Sequence, residues 1–159
     1  MVPMNQVARL AVAFAAFAIG CGGPSITFSG AFTGSANVTA WASNELGGYP
    51  TFEFALYSEP LGLFPSLDFQ CLLPTNSVQI GLHTAANVTS ISITVYSTSQ
   101  AAADTWSGTD FALNITNTGT ATGGMLDPVV WYPHGTFTAT VMPVDGNPAT
   151  SNVNVTAGF

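Results

Sequence analysis

Apolar and polar residues alternate with a period of two along most of this chain. That period puts successive side chains on opposite faces of an extended strand, with residues i and i+2 sharing a face. Ile26, Phe28, Gly30 and Phe32 alternate with Thr27, Ser29, Ala31 and Thr33. Asn37–Ala42 carries a weaker version. Phe52, Phe54 and Leu56 alternate with Glu53, Ala55 and Tyr57, and Val78, Ile80 and Leu82 form another set. Ile91, Ile93 and Val95 follow, then Phe111, Leu113 and Ile115, then Phe137, Ala139 and Val141, and finally Val153, Val155, Ala157 and Phe159. The pattern predicts about eight strands. No segment of 21–159 has convincing helical periodicity, although Gln100–Asp104, with three alanines, fits a single turn.

Turn chemistry separates these runs. Gly47-Gly48-Tyr49-Pro50 divides the second strand from the third. Val144-Asp145-Gly146-Asn147-Pro148 predicts a hairpin between 135–143 and 151–159. Segment 58–76 breaks the alternation, with Leu61, Leu63, Phe64, Leu67 and Phe69 set among three prolines. It reads as a loop or short helix capping one end of the core, or as an apolar surface for a partner. Each strand has one apolar face and one face of Thr, Ser, Asn or Ala. Antiparallel sheets with one wet face have this composition. Two of them packed together give the expected fold, an all-β antiparallel two-sheet β-sandwich over 26–159. A small outer-membrane barrel is the alternative, suggested by Phe159. The short strands and the scarcity of charge for a polar lumen argue against it.

The first twenty residues read as a signal peptide. Arg9, the only basic side chain in the chain, precedes an apolar run from Leu10 to Ile19. The run is shorter than the roughly 20 residues needed to span a bilayer. Ala18-Ile19-Gly20-Cys21 resembles a lipobox, which makes Cys21 the lipidation site and 21–25 a flexible tether. Ala16-Phe17-Ala18 offers a competing cleavage site and an extracellular fate. In that case Cys21 and Cys71 form an even pair that an oxidising compartment could join. With lipidation, Cys71 is alone and reads as a small buried hydrophobe.

Gly20-Cys21-Gly22-Gly23, the run Ser29-Gly30-Ala31-Phe32-Thr33-Gly34, and the ending 134–141 through 153–159 resemble small uncharacterised bacterial envelope lipoproteins with a β-rich mature domain. Segment 58–76 has no counterpart there. The resemblance implies an exported lipoprotein held at the envelope, on the outer membrane, through Cys21. It implies no activity and transfers no functional residue.

Composition narrows the chemistry. Residues 21–159 contain no Lys or Arg but carry Glu45, Glu53, Glu59, Asp68, Asp104, Asp110, Asp127 and Asp145. Nucleic acid is excluded as a partner, because phosphate recognition needs cationic side chains. No nucleophile elbow, HExxH, CxxC, P-loop or dinucleotide fingerprint is present, and no cofactor is implied. Trp131, Tyr132 and His134 form an aromatic cluster that could face a ligand such as a glycan; they also fit a turn at the edge of the core. Asp104 and Asp110 bracket an oxygen-rich stretch that could hold calcium, or simply a polar loop. His83 reads as a satisfied strand-end residue; Trp41, Trp106 and Trp131 could form sugar-stacking platforms on the surface, although three Trp in such a fold are more often core. Asn37, Asn87, Asn114 and Asn154 each begin an N-x-T triplet, which outward Asn and Thr flanking a buried residue also produce.

These readings point to a non-catalytic envelope lipoprotein with a structural or interaction role, its partner an envelope protein or glycan. The alternatives are a secreted carbohydrate- or calcium-binding module and a subunit of a surface filament or adhesin that accepts a neighbour's strand. Because the carboxylates have no Lys or Arg to pair with, their mutual repulsion opposes folding and is screened by salt. The melting temperature should therefore rise between low salt and about 0.5 M salt; a flat or falling melting temperature would contradict this.

Overall fold

The computed structural model describes residues 23–44, 48–57, 65–97, 104–124 and 127–159. The expected signal segment 1–20, the candidate lipidation site Cys21, residues 58–64 and the 100–103 part of the expected turn lie outside the described residues.

The strands are β1 (Ser25–Gly30), β2 (Gly34–Asn44), β3 (Thr51–Tyr57), β4 (Ser66–Leu72), β5 (Gly81–Thr84), β6 (Ser90–Tyr96), β7 (Thr105–Asn117), β8 (Ala121–Gly124), β9 (Asp127–Trp131), β10 (His134–Pro143) and β11 (Val153–Gly158). Strand β1 bonds to β11 on one side and to β2 on the other. The ladder thus runs β1-β11-β10-β7-β6-β4-β3-β2 and returns to β1, antiparallel at every step. This closed eight-stranded barrel overturns the sandwich expectation. Both architectures bury one face of every strand, so alternation is the same in each. What separates them is the double pairing of β1, partly with a strand at the other end of the sequence.

Two register shifts in β10 against β7, at His134/Gly135 and at Thr140/Met142, mark irregularities of the kind that bend and twist a sheet toward closure. At the first, Gly135 is pressed against β7: a Cβ there would lie 2.0 Å from the Asn114 carbonyl oxygen. Gly135 also exchanges both backbone hydrogen bonds with Phe159, extending the β10–β11 ladder by one residue.

The two longest strands each serve two partners along one edge. Strand β2 pairs with β1 at 34–37 and with β9 at 42–44. Strand β7 pairs with β6 at 105–108 and with β5 at 112–115. The hairpin expected between 135–143 and 151–159 is present as β10–β11.

Strand β4 corrects the reading of 58–76. Leu67, Phe69 and Cys71 point inward while Asp68 and Gln70 face out, so the alternation resumes after Pro65. The Val78-Ile80-Leu82 set is corrected as well. Val78 is buried, but Ile80 and Leu82 are 66% and 57% exposed, and His83 takes the inward position. Gly81, at φ 139°, resets the phase there with a backbone conformation that glycine adopts without a Cβ penalty.

The lumen is filled with side chains. Phe52 and Phe54 from β3, Phe69 from β4, Phe111 from β7, Phe137 from β10 and Phe159 form one network, with centroid separations from 4.6 Å (Phe69–Phe137) to 6.3 Å (Phe111–Phe137). Ala36, Ala40 and Ala42 of β2, Ala139 of β10 and Ala157 of β11 are buried small residues that leave room for the rings. Outside, Thr27, Ser29, Asp68, Gln70, Asn114, Thr136, Thr138, Asn154 and Thr156 are exposed. A bilayer-spanning barrel carries an apolar outer band; here the polarity is reversed.

Because the rings meet one another across the lumen, Phe69→Ala should cost about 3–5 kcal/mol in urea unfolding. The outward Thr156→Ala should stay within about 0.5 kcal/mol. Equal losses at the two positions would refute the idea that lumen packing governs stability.

Candidate functional surface

The backbone separates the side chains that the sequence nominated together. Trp131 pairs across from the buried Ala42 and packs partly buried against the core, whereas Tyr132 and His134 are exposed. Pro133 between them is buried. The three residues therefore do not present a single ligand face. Asp110 stands on the outside of β7, and Asp104 immediately precedes that strand. The stretch between them is extended strand, not a loop. Six residues of strand put the two backbone positions about 20 Å apart, too far to share one calcium ion. Among the described residues no group of three His, Cys, Asp or Glu side chains is arranged to hold a metal.

Trp106 is buried, donates from Nε1 to the Ser151 carbonyl at 3.0 Å, and packs on Phe32 at 5.2 Å. Trp41 is half-buried on the outer side of β2, opposite Glu53. Only Trp106 belongs to the buried core, with Trp131 packed against it.

Two inward-facing residues carry reactive groups. His83 donates from Nε2 to the Gln79 carbonyl at 3.1 Å. Its Nδ1 is then a lone-pair acceptor, and it is buried without a partner. His83 is thus only half satisfied, contrary to the expectation of a satisfied strand end. Among the described residues no carboxylate orients it, so it lacks there the usual partner of a general base. Cys71 is a free, buried thiol between Phe52 of β3 and Ile91 of β6 in the ladder. Pairing with Cys21 would require the N-terminal segment to enter the packed wall. Burial pushes the thiol up to about 12 from its ordinary 9.0.

The outer edge of β5 is occupied by a side chain. The Asn87 amide accepts from the Thr84 N–H at 2.7 Å and donates to the Leu82 carbonyl at 2.9 Å. It thereby occupies the backbone groups that an added strand would use. This gives Asn87, first noted for its N-x-T triplet, a structural role.

The outer wall of β7, β10 and β11 holds a shallow groove of about 230 Å³, in which Asp110 and the Asn154 and Thr156 of an N-x-T triplet meet residues that the sequence did not single out. Asp110 and Ala112 of β7, Thr138 and Thr140 of β10, and Asn154 and Thr156 of β11 surround it. The ladder explains why they meet. Asp110, Thr140 and Asn154 stand opposite one another across three strands, and Ala112, Thr138 and Thr156 form the next outward row. Ala112 is the smallest side chain of the six. The Thr140 hydroxyl donates to Asn154 Oδ1 at 3.1 Å, leaving the Asn154 Nδ2 to donate outward.

These features define a class: an antiparallel barrel with a filled aromatic lumen and a hydroxyl- and amide-bearing exterior. Comparison with protein-family models, with curated proteins and with solved structures gives no match.

Cys71 supplies a test of the packed wall. In the unfolded chain the thiol ionises near its ordinary 9.0, whereas in the barrel it holds its proton to about 12. Its contribution to stability is therefore complete below pH 9.0 and is lost as the pH rises toward 12. The urea midpoint should fall as the pH rises from 9.0 toward about 12, and by less in Cys71→Val. An identical fall in both proteins would exclude Cys71 as a source.

Proposed function

We propose that this chain is an exported, lipid-anchored protein of the cell envelope that acts through the outside of its barrel, without catalysis. The observation that carries the proposal is the filled lumen: six phenylalanine rings occupy the space in which other eight-stranded barrels hold a ligand. Whatever the protein contacts must therefore meet the outer wall. The wall offers hydroxyls, amides and scattered carboxylates, and no described His is set against a carboxylate, which favours binding over acid–base chemistry.

Export is supported by Arg9 ahead of the apolar run Leu10–Ile19. Anchoring at the outer membrane is supported by the resemblance around Cys21 and by Gly22-Gly23-Pro24, a short tether between anchor and barrel. Two or three acyl chains on Cys21 would hold the protein stably.

The intact mass of the protein extracted from its native envelope in detergent tests this reading. The expected mass begins at Cys21 and includes a diacylglyceryl group. A lipid-free mass beginning at Ile19 would overturn the anchored reading in favour of an extracellular one.

A further inference from the structure

We propose that the outer wall formed by β7, β10, β11 and β1 binds an extended, uncharged, polyhydroxylated chain of the polysaccharide class. This rests on the reading that the barrel works through its exterior and names the ligand class.

The ladder lays two parallel polar rows across these four strands. One runs Asp110, Thr140, Asn154, Ser29; the other runs Ala112, Thr138, Thr156, Thr27. Neighbouring positions in a row are about 4.8 Å apart, and the rows lie about 6.8 Å apart, two residues along each strand. The repeat along a row is close to the length of one pyranose unit in an extended polysaccharide. The groove of about 230 Å³ lies over β7, β10 and β11 and is lined by residues of both rows, with the short side chain of Ala112 among them. Donors and acceptors are both present: three Thr hydroxyls, the outward Nδ2 of Asn154 and the Asp110 carboxylate.

The same rows exclude the other ligand classes. An anionic polymer would meet Asp110 and no cation, since residues 21–159 contain no Lys or Arg. An apolar small molecule would meet Phe111, Ala112, Ala139 and Val155 but would leave Asp110, Asn154 and three Thr of the same lining without hydrogen-bond partners. A neutral chain of hydroxyls matches a face that carries hydroxyls, an amide and one carboxylate acceptor.

The test is retention of the complete purified protein on insoluble cellulose, chitin and β-1,3-glucan, with polygalacturonate as the anionic comparison. Retention is expected on at least one neutral polymer and not on polygalacturonate. The double variant Thr138→Val with Thr140→Val removes two hydroxyls while keeping shape and strand propensity. It should weaken retention about tenfold, the size of effect expected for losing one or two hydrogen bonds. Ala112→Leu, which fills the groove, should weaken it as well, whereas Ser90→Ala with Ser92→Ala on β6 should not. Melting curves confirm that each variant is folded. The proposal is overturned if no neutral polymer retains the protein, if polygalacturonate retains it better, or if the groove variants bind as the parent does. A lipid-free protein that is retained would sink the anchored reading and support this one, and a lipidated protein that is not retained would do the reverse.

Discussion

A ring of eight strands encloses a space that must be filled, and here the contact between aromatic rings across that space fixes the rest of the molecule. Phe69 of β4 and Phe137 of β10 stand 4.6 Å apart, and Phe54 of β3 reaches Phe137 at 5.1 Å and Phe159 at 5.4 Å. Strands β3 and β4 are thereby packed against β10 and Phe159, with which they share no ladder. The rings also dictate composition elsewhere. The inward face of β2 carries alanine at 36, 40 and 42 because larger side chains would compete for the same volume. Gly135 lacks a side chain because β10 comes so close to Asn114, and its two bonds to Phe159 set one of the rings in place.

The electrostatics follow from the same arrangement. With no Lys or Arg in residues 21–159, a buried carboxylate would have almost no partner available, and an unpaired buried charge is costly. Asp68, Asp110 and Asp145 are accordingly exposed, on β4, on β7 and in the β10–β11 turn. Stability rests on apolar burial and the backbone ladder. The outer wall is consequently weakly charged and rich in hydroxyls, a surface suited to hydrogen bonding more than to long-range attraction.

The strands were legible in the sequence where apolar inward residues alternate with mostly polar outward ones, as in β3, β6, β10 and β11. Strand β4 has the same alternation over Leu67–Cys71, but Pro60, Pro65 and Pro74 around it suggested a loop. In β5 the phase changes at Gly81, and a short-range pattern cannot reveal that Ile80 and Leu82 face outward. The stretch from Asp104 to Asp110 has loop-like composition, yet pairing with β6 and β10 makes its residues from Thr105 onward part of a long strand. Closure was beyond reach because it depends on Ile26 lying beside Ala157, at the other end of the sequence. The groove was missed for the same reason. Thr138, Asp110 and Asn154 are distant in sequence, and only the register makes them neighbours.

The distribution of regular and irregular pairing bears on where a binding surface can form. Along one edge, β7 is shared between β5 and β6, and the Asn87 amide stands in for a strand beside β5. One edge of β2 is similarly divided between β1 and β9. At such junctions the spacing of outward side chains is interrupted. From β10 through β11 to β1 the register runs without a shift, from Thr136 opposite Gly158 to Thr27 opposite Thr156. Hydroxyls on that stretch inherit the regular spacing of the ladder beneath them. The packed lumen supports the ladder from within, so the rows keep that spacing, and a surface of weak individual hydrogen bonds gains most from being arranged in advance.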